Sequence, residues 1–253
     1  MIIDHPAPAQ IPALRSLWQD TFGDEDAFLD SFFATAFCTT RCLCAMEQGE
    51  VIGAVYWFDC TCGGHKLAYI YALAVQKAYR AQGIGTKLLE KAHRLLESRG
   101  YAGVLLVPQE KHLVRWYEKQ SYGACTALRE FSVRSGTGAA PLRPVSVQEY
   151  AKLRRRYLPT GAVVQEGENL AFLQTQAAFY AGADFILAAR QKSDTLFALE
   201  LLGDPAAAPG ILCALHCRVG SFRTPGEELP FAMFRSLGKT GCPRPSYFAF
   251  AFD

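Results

Sequence analysis

Residues 78–100 read AYRAQGIGTKLLEKAHRLLESRG, and the change of pattern inside this stretch governs how the rest of the chain is read. Arg80-Ala81-Gln82-Gly83-Ile84-Gly85 is a turn opened by glycine. After it, Ile84, Leu88, Leu89, Ala92, Leu95 and Leu96 fall on one face at helical spacing. Glu90 and Arg94 form an i,i+4 pair in the favourable order, and Gly100 stands where a C-terminal cap belongs. The first turn of such a helix carries amides with no internal partner at the positive end of its dipole. With glycines clearing the approach, the junction is an anion site suited to phosphate or pyrophosphate, and Arg80 adds a charge-assisted contact. Two familiar phosphate loops do not fit. A Walker loop needs Lys before Ser/Thr, whereas Gly85 is followed by Thr86 and then Lys87. A dinucleotide fingerprint needs a third glycine where Leu88 stands.

Working outward, HKLAYIYALAV (residues 65–75) upstream is a strand rich in aromatic and branched residues. Residues 42–47 and 51–59 are strand-like around Gln48-Gly49-Glu50, and a second break falls at Cys62-Gly63-Gly64. Before them, Ile11, Leu14, Leu17, Trp18 and Phe22 have helical spacing, as do Phe28, Leu29, Phe32, Phe33 and Phe37 after a cap at Asp24. Downstream, GVLLVP reads as a buried strand, EKHLVRWYEKQ as a short helix and YGACTALREFSV as a strand. The first half is therefore expected to run α-α-β-β-β-α-β-α-β.

These motifs together resemble the GNAT superfamily of acyl-CoA-dependent N-acetyltransferases. The signature [RQ]-x-x-G-x-[GA] is met by Arg80, Gly83 and Gly85. Leu73-Ala74-Val75 matches the strand end whose backbone pairs with pantetheine, and Trp116-Tyr117-Glu118-Lys119 matches the F-Y-E-K segment of the next helix. The resemblance covers roughly residues 40–130, with the helices of residues 11–37 in the expected place. It implies an α/β (α+β) fold with a mixed, mostly antiparallel sheet flanked by helices. It also implies acetyl-CoA as cosubstrate, held by Leu73, Ala74, Val75, Arg80, Ala81, Gln82, Gly83, Ile84, Gly85 and Thr86. The reaction it implies is direct attack of a primary amine, of a small molecule or a peptide, on the thioester. Tyr117 is then the general acid for the departing thiolate. Two departures stand out: Ser121 replaces the glycine of F-Y-E-K-x-G-F, and Glu110 stands where an Asn is common.

The general base is not legible. Tyr69 occupies the region where some members carry a Glu. Glu47, Asp59, His65, Glu110 and His112 are candidates, as is the carboxylate of Asp253, since a chain terminus enters the active site in some multi-domain relatives. A non-catalytic acyl-CoA-binding or interaction module is the competing reading.

SGTGAAP (residues 135–141) is the expected linker, dividing the chain into a domain of residues 1–134 and a second of 142–253. In the second, helices are expected over 144–158, 169–181, 206–217 and 226–238. Strands are expected over 183–191, 195–203, 219–225 and 246–252. The repeated strand-helix-strand-helix-strand order suggests a degenerate GNAT-like repeat, with an unrelated α+β accessory domain as the alternative. Its strand-to-helix junction, GDPAAAPGILCAL, has no basic residue and no G-x-G, so one active site is expected. Completing the substrate groove, stabilising the first half and mediating homodimerisation stand open as roles.

The chain has 253 residues, half of them hydrophobic, with 26 basic against 24 acidic side chains. A net charge of +2 gives no electrostatic reason to expect a nucleic-acid or membrane partner. No signal peptide is evident in MIIDHPAPAQ, and a cytoplasmic protein with reduced cysteines is expected. Cys60-x-Cys62 with His65 lacks the fourth ligand of a structural zinc site, so no metal is expected. Cys42/Cys44 and Cys60/Cys62 are read as small core residues. Lys152 with Arg154, Arg155 and Arg156 is read as a solvated helix face.

Overall fold

The computed structural model describes residues 1–238 and 241–252. The chain begins with β1 (Ile2–Asp4), α1 (Ile11–Phe22), α2 (Asp26–Thr35), β2 (Cys42–Glu47), β3 (Glu50–Cys62) and β4 (His65–Val75). It continues through α3 (Ile84–Ser98), β5 (Gly103–Leu106), α4 (Lys111–Lys119) and β6 (Gly123–Ala124). Then come β7 (Ala127–Arg134), β8 (Leu142–Pro144), α5 (Val147–Tyr157), α6 (Glu168–Gln174), β9 (Ala178–Gly182) and β10 (Phe185–Lys192). Last are β11 (Thr195–Gly203), α7 (Ala208–Ala214), β12 (Val219–Pro225), β13 (Leu229–Pro230) and β14 (Met233–Ser236). No helix among the described residues is long and apolar enough to cross a membrane.

Two compact units result. The first is Met1–Gly123 with Met233–Pro243, and the second is Ala124–Ala232 with the segment from Arg244 onward. The first sheet runs β1-β2-β3-β4-β5-β14-β6. Neighbours from β1 to β4 are antiparallel, β4 and β5 are parallel, and β5 and β14 are antiparallel. The apolar stripe of α3 (Ile84, Leu88, Leu89, Ala92, Leu96) is buried against one sheet face with Ile52, Val55, Trp57 and Ile70. Each fully buried leucine there contributes on the order of 1.5–3 kcal/mol. A second core is aromatic. Trp18 packs against Phe22, Phe32, Tyr56 and Tyr71, with ring centroids 4.6–5.6 Å apart.

The second sheet runs β13-β7-β12-β11-β10-β9-β8. Read from β8, it repeats the first. Three antiparallel pairings are followed by a parallel pair, β11 with β12, and then an antiparallel one, β12 with β7. As α3 joins the parallel strands of the first sheet, α7 joins those of the second. The order and sense of pairing in the second sheet thus match those of the first.

Several sequence expectations change. Residues 226–238 form strands instead of a helix. Pro230 withholds the amide a helix interior needs, and Met233–Ser236 pairs with β5. Gly103 makes this pairing possible, since a β-carbon there would lie 2.4 Å from the Phe234 ring. β7, expected in the first domain, pairs over Leu128–Arg134 with β12 of the second sheet, and Ala127 pairs with Pro230 of β13. The helix expected over 169–181 stops at Gln174, because Ala178–Gly182 is taken up between β8 and β10. The expected last strand forms no ladder among the described residues. Instead Gln165 bonds both the amide and the carbonyl of Phe250, and Val163 donates to Tyr247 O. Residues 135–141 are not a free tether, since Gly136 N donates to Pro209 O and Ala140 N to Gly210 O on α7.

Arg154 is the plainest reversal. It is buried, not solvated, and its Nε and Nη2 bond the two oxygens of Glu200 at 2.7 and 2.9 Å. Tyr150 and Tyr247 donate to the same carboxylate at 2.8 and 3.1 Å. No disulfide joins any of the nine cysteines, all of which lie among the described residues, and Cys42, Cys44, Cys60 and Cys62 are buried on β2 and β3.

Candidate active site

The site begins with a defect in strand pairing. Tyr56 of β3 faces Ala72 of β4 and Trp57 faces Ile70, so Tyr71 is an extra residue on β4. A bulge bends its strand and re-aims the side chains beyond it. Here it groups Tyr71 with the Trp18 aromatic core and leaves Leu73 and Val75 packed on the α3 side. The strand exit is anchored by Gln76, whose amide donates to Ile52 O and whose Nε2 donates to Val51 O.

From Val75 the chain turns into α3 through two left-handed residues, Ala81 (φ 62°) and Gly83 (φ 77°). Gly83 is the N-cap, and no side chain among the described residues caps the helix. Lys87 N to Gly83 O is the first helical bond. The preceding first-turn amides therefore lack a side-chain acceptor, at the positive end of a 15-residue helix. Arg80 donates Nε to Val75 O at 3.0 Å, which ties its guanidinium to the strand end.

Beside this junction is a cleft of about 560 Å³. Its walls include Leu73, Val75, Arg80, Ala81, Gly83, Ile84, Gly85 and Thr86, together with Tyr117. The structure thus brings nine of the eleven sequence-derived site residues to one cleft. Ala74 and Gln82 do not line it. Ala74 is fully buried, and Gln82 is exposed, with Nε2 bonded to Ala78 O. Thr21, Phe22, Tyr79 and Gln109 also line the cleft, though none of them is expected as a site residue from the motifs. Thr21 and Phe22 end α1, far away in sequence, so only tertiary packing reveals them.

Tyr117 is buried on α4, its ring edge-on to Trp116 at 4.8 Å. Burial pushes its phenol up to about 12, so the side chain keeps its proton at neutral pH and is equipped to donate it.

An uncapped helix start after a bulged strand and a protonated tyrosine on one cleft agree with a direct family match. Residues 11–122 match the acetyltransferase (GNAT) family. These residues are a GNAT acetyltransferase domain.

Solved structures extend the likeness over the whole chain. A GCN5-related N-acetyltransferase from Anabaena variabilis superposes with a TM-score of 0.76, covering 94% of this chain and 73% of its own at 14% identity. Eis1 from Mycobacterium abscessus gives 0.70, covering 94% and 74% at 15% identity. A GCN5-related N-acetyltransferase from Sphaerobacter thermophilus gives 0.56, covering 99% and 98% at 12% identity. At such identities the likeness is one of fold. No curated protein sequence matches the chain.

The GNAT domain's departures from its motif have structural explanations. Ser121 adopts φ 64°, the left-handed turn that glycine takes most easily, and Tyr122 N returns to Tyr117 O to close the end of α4. Glu110 is the N-cap of α4 and lines the cleft.

Of the candidate bases, Glu110 and His112 reach the cleft, and they pair with each other at 3.1 Å. Glu47 faces the Met1 amino group. Asp59 accepts from the Tyr101 hydroxyl, and His65 opens β4 on the far side of the β3–β4 turn. Asp253 lies outside the described residues. Among the described residues no group of three or more His, Cys, Asp or Glu is placed to hold a metal.

Proposed function

We propose that the GNAT domain is an acetyl-CoA-dependent N-acetyltransferase that acts on a primary amine of a small molecule or peptide. One observation carries the reading. The protonated Tyr117 and the uncapped start of α3 share a single cleft.

The residues present fit a long, narrow polyanion. First-turn amides and Arg80 would hold its pyrophosphate, and the backbone of Leu73–Val75 would pair with the pantetheine amides. Leu73 and Trp116, flanking Gly85, supply apolar walls. Acetyl-CoA supplies an acyl group activated as a thioester. The attacking amine must be neutral, and Glu110 with His112 is the pair on the cleft able to take its proton. Tyr117 donates its O–H proton to the departing thiolate and regains one from solvent. A positioned donor of this kind contributes about 10²–10⁴-fold.

The second unit supports one site per chain. At the equivalent junction, Asp204 caps the 3-10 turn Pro205–Ala207 ahead of α7 through Ala206 N, and the junction carries no basic side chain and no G-x-G. Residues 136–140 lie bonded along the start of α7.

The test is a thermal-shift titration with acetyl-CoA and CoA, followed by thiol release across a panel of phenethylamine, spermidine and an alanine-ended peptide. Stabilisation with amine-dependent release is expected. Stabilisation without release under any amine would favour the acyl-CoA-binding module. No stabilisation by either nucleotide would remove the reading.

A further inference from the structure

Tyr122 follows the left-handed Ser121, at the position where the family motif carries phenylalanine. Its ring meets Tyr117 edge-to-face with centroids 5.7 Å apart. Its hydroxyl hydrogen-bonds Nε2 of His93 on α3 at 2.7 Å. Both residues are buried, and His93 Nδ1 has no hydrogen-bond partner among the described residues. Filling this space would need only an apolar ring. A buried hydroxyl and imidazole cost stability unless paired, and here the pairing is incomplete.

A third group sits at the same place. Arg235 on β14 donates Nη1 to Gln120 O at 2.8 Å, the carbonyl that ends the helix carrying Tyr117. With burial, and with Arg235 and Arg94 nearby, His93 is pushed down to about 3 and stays neutral.

We propose that Tyr122, His93 and Arg235 are positioning residues for Tyr117. The Tyr122–His93 bond fixes the ring against which Tyr117 rests, and Arg235 fixes the end of α4. The inference rests on the reading of Tyr117 as the proton donor. A phenol that must meet a sulfur atom gains from a wall that cannot shift, since a displacement of about 1 Å can cost about 10²-fold.

The experiment is a double-mutant cycle. Thiol release from acetyl-CoA is followed with phenethylamine and with water alone as acceptor. It compares the unaltered protein, Tyr122→Phe, Tyr117→Phe and the double variant, with each fold checked by circular dichroism. Tyr122→Phe is expected to lower kcat about tenfold, with KM for acetyl-CoA within about twofold, and to have no further effect in the Tyr117→Phe background. His93→Gln, which keeps a hydrogen-bonding side chain, is expected to retain most of the rate.

An equal loss in both backgrounds, or a change in KM alone, would overturn the positioning role. If Tyr122→Phe does not fold, His93→Phe in the same two backgrounds gives the same comparison. Two other outcomes strike the underlying reading instead. An undiminished rate in Tyr117→Phe would remove the acid, and an unaltered protein silent with both acceptors would remove acetyl transfer.

Discussion

A β-carbon built on Gly85 would rest 3.6 Å from the Trp116 ring, an ordinary contact that the fold can accept. The space a methyl would fill is cleft. Gly85→Ala should therefore leave the fold intact, or up to about 1 kcal/mol more stable, since alanine is the better helix residue. Acetyl-CoA affinity should fall at least about tenfold, or about 1.4 kcal/mol. Thermal melts and isothermal titration of the same samples check both halves. Unchanged affinity would take this junction out of the binding site.

Backbone conformation gives opposite expectations at two nearby positions. Gly83 holds φ 77° with nothing within 4 Å of a would-be β-carbon, so Gly83→Ala meets no clash and pays only for the left-handed backbone. That is about 1–2 kcal/mol. Ser121 already bears such a cost at φ 64°. Ser121→Gly should be stabilising by about 1 kcal/mol, as read from urea midpoints. A destabilised Ser121→Gly would point to a role for the hydroxyl.

His93 makes stability depend on acid. Its folded-state value of about 3 lies below the ordinary 6.5, so the unfolded chain binds the extra proton. The contribution is present above about pH 6.5 and is lost as pH falls toward 3. Unfolding free energy should decline over that window, and His93→Gln should flatten the decline. Equal slopes in the two proteins would show that His93 is not the group responsible.

The buried carboxylate of the second unit should be intolerant of half-measures. Glu200→Gln leaves the Arg154 charge without its counter-ion among buried residues. Breaking a buried pair on one side costs about 3–5 kcal/mol. Replacing both, as Arg154→Met with Glu200→Leu, should cost less than either change alone. Equal or greater loss in the double variant would mean that Tyr150 and Tyr247 need the carboxylate more than Arg154 does.

What the residues disclose in advance depends on whether the cause is local. Residues 84–98 write their helix in spacing alone, and Arg80, Gly83 and Gly85 mark the turn before it as a motif. Tyr117 is legible by its neighbours in the motif. Met233–Ser236 is not. Nothing within FAMFRS distinguishes a short amphipathic helix from a strand, and the deciding facts are the open edge of β5 and the empty place above Gly103. Arg154 fails for a related reason. In a run of four basic residues one side chain is taken inward by a glutamate 46 positions away, and the run itself carries no trace of it. Thr21 and Phe22 reach the cleft only because α1 ends beside it.

The return of β14 to the first sheet also has a consequence for biosynthesis. When a ribosome has released residues 1–123, β5 still lacks its neighbour, because residues 233–236 have yet to be made. The GNAT half is the earlier to be translated and the later to be finished. Its nascent form carries an unpaired strand edge, the feature most open to wrong partners, for the time it takes to build the entire second half.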